Sequence, residues 1–193
     1  MIRFAREGDL QPMLEIYSYY VLHTTYSFEY TVPTMAEFTQ RFLGITAQFP
    51  WLVWEENGSV VGYAYGSAPF DRAAYQWCAE LSIYLRSDVH GRGIGRKLYA
   101  CAEEILKKQG YRRVYVIITG ENLDSMAFHR AVGYRTGAEF PDCGIKFGNV
   151  LGTVWMEKVL NSGELPTNAP ASWRTIVNCD RKDGKVLDNL SLS

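Results

Sequence analysis

The sequence has few of the features that mark several large classes of protein. It contains four cysteines in 193 residues, far apart, with no CxxC pair and no histidine at zinc-ligand spacing: Cys78, Cys101, Cys143 and Cys179. Neither a metal site nor a dense disulfide framework is indicated, and reduced thiols in the cytoplasm are expected. No apolar run approaches the roughly 20 residues that a membrane span needs, and the first residues lack the apolar core of a signal peptide.

Net charge is also nearly absent. Twenty Lys and Arg stand against 21 Asp and Glu, a formal charge of −1. Binding to nucleic acid through bulk positive charge is therefore not expected, and an anionic ligand must be held by a local site.

The chain does contain enough apolar material for one packed domain, with 47% hydrophobic and 14% aromatic residues. We expect this domain to span residues 1–160. Residues 161–193 change to a turn-rich composition and are predicted to form a C-terminal tail. Trp173, Ile176 and Val177 could pack back as a short extra strand, which the sequence leaves open.

Apolar periodicity predicts strands at 2–4, 51–55, 60–67, 77–85, 114–119 and 154–160. It predicts helices at 10–22, after the capping box that begins at Thr34, between Gly95 and Gly110, and from Asn122 or Asp124 to Gly133. Asp9 stands where the N-cap of the first helix belongs, and Asn57-Gly58 is typical of a tight hairpin turn.

The most informative segment lies between the strand at 77–85 and the helix that follows it. Gly91, Gly93 and Gly95 alternate with other residues, so that backbone N–H groups can converge near the positive end of the helix dipole. Arginine and lysine side chains nearby suit the pyrophosphate of a long cofactor: Arg86, Arg92, Arg96 and Lys97. The segment does not fit the dinucleotide fingerprint, because Leu98 stands where that motif needs glycine, and it lacks Walker spacing.

The order of the motifs resembles the GNAT superfamily of N-acetyltransferases, and most closely the phosphinothricin acetyltransferase family. The resemblance spans about residues 1–160. It rests on the glycine loop and on five short stretches: Tyr26-Ser27-Phe28-Glu29, Arg72-Ala73-Ala74-Tyr75-Gln76-Trp77, Asn122-Leu123-Asp124-Ser125, His129-Arg130-Ala131-Val132-Gly133-Tyr134 and Gly144-Ile145-Lys146-Phe147-Gly148. It implies a mixed α/β fold with a central, mostly antiparallel sheet, splayed at the cofactor site and covered by helices on both faces.

Two departures from the family pattern stand out. His90 occupies the place where the loop usually begins with Gln or Arg, and Asn149-Val150-Leu151-Gly152 replaces an Arg-Trp-x-Asp-like stretch. The first affects one phosphate-facing group, and the second bears on the acceptor specificity.

Acetyl transfer to an amine requires a base, because an alkyl ammonium with a pKa of about 10.4 is almost wholly protonated at neutral pH. Glu80 lies in an otherwise apolar run, where burial would raise the carboxyl pKa toward the useful range. The alternative is a structural carboxylate paired with an arginine. The resemblance makes His129 the candidate acid or thiol-orienting group, against the alternative of a structural histidine.

The resemblance also implies which residues contact the acetyl donor, acetyl-CoA. We expect backbone N–H groups of the catalytic strand to stabilise the oxyanion, the glycine loop to hold the phosphates, and Asn122 to bond the pantetheine arm or to serve as a plain helix cap. The predicted contacts are Ile83, Tyr84, Leu85, His90, Gly91, Arg92, Gly93, Ile94, Gly95, Arg96, Asn122 and Ser125.

The acceptor amine is expected between Phe28 and Phe70, with Arg72 as a fork for the carboxylate of an amino-acid substrate. Core packing for the two rings and a surface ion pair for Arg72 are the alternatives. The predicted function is acetylation, by direct transfer, of a small amine of the phosphinothricin, methionine sulfoximine or methionine sulfone type. Other amines, such as a polyamine, an antibiotic or a protein N-terminus, and a non-catalytic acyl-CoA sensor, remain alternatives. Relatives imply a homodimer. No metal, nucleic-acid or membrane partner is expected from the composition and the cysteine spacing.

Overall fold

A computed structural model of the chain describes residues 1–179, with side chains to residue 177. The predicted tail beyond residue 179 lies outside the described part. Within residues 1–179, seven strands span Ile2–Phe4 (β1), Trp51–Glu56 (β2), Ser59–Ser67 (β3), Cys78–Leu85 (β4), Arg113–Thr119 (β5), Arg135–Lys146 (β6) and Asn149–Val159 (β7). The same part of the chain forms five α-helices, which span Leu10–His23 (α1), Met35–Thr46 (α2), Ile94–Gln109 (α3), Leu123–Ala131 (α4) and Trp173–Cys179 (α5).

The strands form one sheet in the order β1-β2-β3-β4-β5-β7-β6. Every neighbouring pair is antiparallel except β4 and β5, which run parallel. The expected fold, a mostly antiparallel mixed sheet, is therefore confirmed.

Two apolar cores lie on opposite faces of this sheet. Helices α1 and α2 pack on one face around Trp51, Val53 and Tyr63, while α3, α4 and α5 pack on the other around Leu81, Val114 and Val116. Side chains alternate between the faces along each strand. Consequently Ala79 and Leu81 of β4 lie in the α3 core, and Glu80, Ser82 and Tyr84 project to the other side.

Several local predictions are confirmed at their capping residues. Thr34 and Glu37 form the reciprocal capping box of α2, and Gly110 ends α3 with φ of 99°. Asn122 caps α4 by accepting from the Ser125 N–H. The turn Asn57-Gly58 joins β2 to β3.

Asp9 stands at the N-cap position of α1 as predicted, but its side chain makes no capping hydrogen bond to the helix. Its carboxylate accepts from the Arg3 guanidinium at 2.6 and 2.7 Å and from the Arg6 N–H at 2.9 Å. The side chain is thus buried in an ion pair with β1, and it closes the short 3-10 turn Glu7–Asp9 ahead of the helix.

Strand β6 is the element that periodicity missed, and β7 begins earlier than the predicted 154–160. Nine of the twelve residues of β6 are exposed, and its pairing with β7 is interrupted by two register shifts. An edge strand that is mostly exposed on both faces and carries bulges has no period-2 pattern to detect.

The chain after β7 returns to the α3 core as a helix, not as a strand. Trp173 of α5 stacks on Phe4 at 4.4 Å between ring centroids, and its indole N–H donates to the Thr46 carbonyl at 2.9 Å. The Gln109 side-chain amide donates to the Ala171 carbonyl at 2.6 Å. These contacts fix the segment before α5 at the C-terminal end of α3.

Candidate active site

The sheet opens between β4 and β5. The two strands pair over only three residues, Cys78–Glu80 opposite Arg113–Tyr115. Beyond that point β4 follows β3 to Leu85 and β5 follows β7 to Thr119, which leaves a wedge-shaped cleft between them. Residues 81–84 and 116–119 form its walls, with Tyr20, Tyr99, Asn122, Ser125 and His129 along its length.

Backbone groups of alternate β4 residues point into this cleft. The Arg86 N–H donates to the Val61 carbonyl on the β3 side, whereas the Trp77 carbonyl accepts from the Arg112 N–H on the β5 side. Alternation along the strand therefore turns the N–H groups of Ile83 and Leu85 toward the cleft. The Tyr84 N–H faces β3, so it is not directed at the cleft, although Tyr84 is among the residues that line the cleft.

At one end of the cleft, the glycine loop leads into the N-terminus of α3. Gly91 and Gly93 have φ of 74° and 77°, left-handed values that glycine adopts without strain. An added Cβ at either position would meet no atom within 4 Å, so the loop surface is open. No described side chain caps α3, which leaves its first N–H groups free to bind an anion.

The charged side chains around the loop are partly engaged with carboxylates. Arg86 is paired with Asp88 at 2.6 Å and Arg92 with Glu56 at 2.9 Å, both at the surface, and Arg96 is exposed. The His90 Nε2 lies 3.2 Å from the Tyr20 hydroxyl and 3.3 Å from the Leu85 carbonyl. The open loop, the uncapped helix and the slot between strands fit a long molecule with a phosphate-bearing end, as coenzyme A is.

Glu80 is the last residue of β4 that pairs with β5, so its side chain lies at the apex of the cleft. It projects to the face away from α3, between the register partners Ser67 and Tyr115. Burial raises the pKa of its carboxyl from 4.5 to about 7. The group can therefore take up and release a proton near neutral pH, as a general base must.

His129 is buried against α3, with an exposed fraction of 2%. Its Nδ1 lies 2.7 Å from the Ser125 carbonyl, which can only accept, and its Nε2 lies 2.8 Å from the Tyr99 hydroxyl. Burial lowers the imidazole pKa to about 4, so the ring is neutral at pH 7. We assign the hydrogen to Nδ1, and Nε2 then accepts from Tyr99.

Tyr99 is the site residue that sequence reasoning missed. It lies on α3, faces the cleft, and also approaches the Leu81 carbonyl at 3.4 Å. In the sequence it has the spacing of an apolar core residue. The one available signal is its place one turn after Gly95, on the helix face that packs against Ile83 of the catalytic strand.

The loop between α1 and α2 spans the top of the cleft. The Thr25 carbonyl accepts from the Thr119 hydroxyl at 2.8 Å, and the Ser27 carbonyl accepts from the Lys146 ammonium at 2.6 Å. The hydroxyl of Ser27 lies 2.9 Å from the hydroxyl of Tyr17 on α1. The loop thus joins the β3–β4 side of the sheet to the β5–β6 side, and we call residues 24–30 the bridging loop.

The predicted acceptor residues lie in two loops, the bridging loop and the loop before β4. Phe28 extends from the bridging loop over Gly144 of β6, where an added Cβ would lie 2.4 Å from the ring. Phe70 lies in the loop before β4, 5.9 Å from Trp155 between ring centroids. Arg72 is exposed two residues further on, with no ion-pair partner among residues 1–177.

Together these features define an acyltransferase of the GNAT type, and the chain belongs to that family. Residues 2–155 match the family described as Acetyltransferase (GNAT) domain. More narrowly, the chain is an N-acetyltransferase of the phosphinothricin acetyltransferase type.

Three relatives illustrate this narrower likeness. A phosphinothricin N-acetyltransferase from Alcaligenes faecalis is 32% identical over 165 residues, covering 84% of each chain. An L-methionine sulfoximine/L-methionine sulfone acetyltransferase from Salmonella typhimurium is 33% identical, covering 86% of this chain and 97% of that one. A phosphinothricin acetyltransferase from Sinorhizobium meliloti, solved in complex with AcCoA, superposes with a TM-score of 0.82 at 35% identity, covering 89% of this chain and 92% of that one.

Among residues 1–179, no three His, Cys, Asp or Glu side chains come together as a metal site would require. Within the same range, no helix combines the length and the apolar character needed to cross a membrane.

Proposed function

We propose that the protein transfers an acetyl group from acetyl-CoA to the amine of a small amino-acid-like substrate of the phosphinothricin, methionine sulfoximine or methionine sulfone type. The transfer is direct, within a ternary complex. The observation that carries this proposal is the placement of Glu80, whose carboxyl has a pKa of about 7 and lies where the cleft between β4 and β5 meets the acceptor side.

Donor binding uses the two ends of the cleft. The backbone N–H groups of residues 91–95 and the N-terminus of α3 hold the pyrophosphate. Arg92, after it leaves Glu56, and the exposed Arg96 add positive charge. Asn122 and Ser125 line the slot that takes the pantetheine arm. Acetyl-CoA supplies a thioester, whose carbonyl carbon accepts the amine.

Glu80 prepares the acceptor. The carboxylate takes one proton from the substrate ammonium, directly or through a water, and a neutral amine remains for attack. Ile83 and Leu85 direct their N–H groups at the oxygen that becomes negative during transfer.

His129 and Tyr99 act on the sulfur side of the cleft. The neutral imidazole cannot serve as a strong acid at pH 7, so we assign it the role of holding the Tyr99 hydroxyl. That hydroxyl can rotate and donate a hydrogen bond to the departing sulfur in place of Nε2. The sulfur then takes up the second proton of the amine and leaves as the free thiol. His129 is then a positioning residue, and Tyr99 contacts the leaving group.

The cysteine nearest to Glu80 supports direct transfer over an acyl-enzyme route. Burial raises the pKa of the Cys78 thiol, which keeps it protonated and a weak nucleophile. The Cys101 thiol is buried in the α3 core, with its pKa raised to about 12.

The test is the release of free thiol from acetyl-CoA over a panel of amino acids, their sulfoxide, sulfone and phosphinic analogues, polyamines and peptides. Turnover that depends on carboxylate-bearing amines supports the proposal. Tight binding of acetyl-CoA without turnover for any amine would favour the acyl-CoA sensor, and turnover confined to polyamines or peptides would favour the other-amine alternative.

We further propose a cytoplasmic homodimer. Cys78, Cys101 and Cys143 are free thiols, in keeping with a reducing compartment. At the tip of the β6–β7 edge, Ile145 and Val150 are about 60% exposed, which suits contact with a second copy. Light scattering on the purified protein gives the test, and a monomeric mass at micromolar concentration would exclude the dimer.

A further inference from the structure

A group of aromatic rings lies next to Glu80, on the face of the sheet to which the Glu80 side chain projects. Phe70 contacts Tyr75, Tyr115 and Trp155 at 4.6, 6.1 and 5.9 Å between ring centroids. Trp155 also meets Phe140 of β6 edge-to-face at 5.8 Å. We call these five residues the aromatic wall.

The aromatic wall begins directly beside the proposed base. Tyr115 of β5 is the register partner of Glu80, and Trp155 of β7 is the partner of Ile117. Ile117 lines the cleft and is 41% exposed. An amine placed at Glu80 therefore has its side chain over an apolar surface formed by β5, β7 and the loop before β4.

Much of this surface is open. Phe70 is 36% exposed, Tyr75 44% and Phe140 47%, although each ring already contacts another. Exposed rings gathered at a catalytic cleft are suited to covering an apolar group, because burying that surface is favourable.

The cationic side chains named below differ in whether they are already paired. Arg113 and Arg135 are both held by Glu157, each at 2.7 Å, and the Lys146 ammonium is buried beneath the bridging loop. Arg72, which stands between the contacting rings of Phe70 and Tyr75 in the chain, has no such partner among the described side chains. Of the arginines named here, Arg72 alone has no carboxylate partner within residues 1–177, and one guanidinium suits one carboxylate.

We propose, building on the function proposed above, that the preferred acceptor is an α-amino acid with a neutral, apolar side chain, such as an aromatic, branched or thioether one. The α-amine lies at Glu80, the carboxylate at Arg72 and the side chain on the aromatic wall. Phosphinothricin carries a second anion in its side chain, and the wall would strip water from that anion without supplying a partner.

The first experiment compares kcat/KM for thiol release with L-phenylalanine, L-leucine, L-methionine, L-methionine sulfone and L-phosphinothricin. We expect the three apolar amino acids to exceed L-phosphinothricin at least about tenfold, the scale on which apolar pockets discriminate. A value for L-phosphinothricin equal to or above that for the apolar amino acids overturns the inference while leaving the proposed function intact. Absence of turnover with every amine refutes both.

The second experiment changes the wall itself. Trp155→Ala is expected to lower kcat/KM for L-phenylalanine about tenfold or more while changing that for L-alanine about threefold or less, because L-alanine does not reach the wall. Trp155→Phe, the matched conservative variant, should restore most of the loss. An equal loss on both acceptors, or no loss on L-phenylalanine, would mean that the side chain lies elsewhere or that another molecule covers the wall.

Discussion

Replacing Glu80 by glutamine should change activity and stability in opposite directions. The substitution keeps the size and shape of the side chain but removes its charge. Burial is the cause that raises the pKa of this carboxyl from 4.5 to about 7. At about 1.4 kcal/mol per pH unit, that gap corresponds to about 3 kcal/mol by which the folded state disfavours the ionised carboxylate.

The direction in which the free energy of unfolding changes with pH follows from proton binding. Between pH 4.5 and 7 the folded protein keeps a proton on Glu80 that the unfolded chain has released, so the stability of the unaltered protein falls as pH rises through this window. The Glu80→Gln variant has no carboxyl at this position and does not lose stability in this way. Its free energy of unfolding should therefore exceed that of the unaltered protein only slightly at pH 4.5, and by about 3 kcal/mol at pH 8.

Urea unfolding of both proteins at several pH values measures this difference, since all other groups titrate alike in the two. Glu7→Gln, at an exposed carboxylate, is the matched control and should stay within about 0.5 kcal/mol of the unaltered protein. In the same preparations kcat of Glu80→Gln should fall about 10²- to 10⁴-fold, and the rate of the unaltered enzyme should rise with pH to a plateau above about 7. If the stability difference between the two proteins stayed constant across this pH range and turnover were undiminished, the assignment of Glu80 as a desolvated base would be refuted.

Three further changes test other parts of the site and fold. Tyr99→Phe removes the hydroxyl 2.8 Å from His129 and should lower kcat about 10²-fold with little change in the KM for the amine; an unaltered kcat would contradict its contact with the leaving group. Gly144→Ala places a Cβ 2.4 Å from the Phe28 ring and should raise the KM for the amine about tenfold while sparing that for acetyl-CoA; a parallel rise in both would contradict the acceptor role of Phe28. Trp173→Ala empties a site that is 8% exposed and should lower the free energy of unfolding by about 3–5 kcal/mol in urea, and a loss below about 1 kcal/mol would show that α5 adds little to the core.

Sequence reasoning predicted those elements whose signals are local. The Thr34 capping box, the Asn57-Gly58 turn and the Gly110 cap each depend on a few adjacent residues, and each lies where the sequence indicated. Glu80 could be chosen because its neighbours in the strand are apolar, and the structure places it at the cleft apex.

The remainder depends on contacts between distant parts of the chain. Strand β6 is an exposed edge held by pairing with β7, and α5 depends on a groove formed by β1, α2 and α3. Tyr99 is indistinguishable from a core residue until the separation of β4 from β5 opens a space in front of it. The aromatic wall likewise draws on three strands and a loop that the sequence does not place together.

The bridging loop gives the two binding regions a common mechanical support. The two halves of the sheet meet over three residue pairs between β4 and β5, which is a short seam. Above that seam, the Thr25 and Ser27 carbonyls tie the loop to the far half of the sheet. The segment that carries Phe28 is therefore anchored to Thr119, a residue that lines the cleft. The donor side and the proposed acceptor side share one piece of backbone.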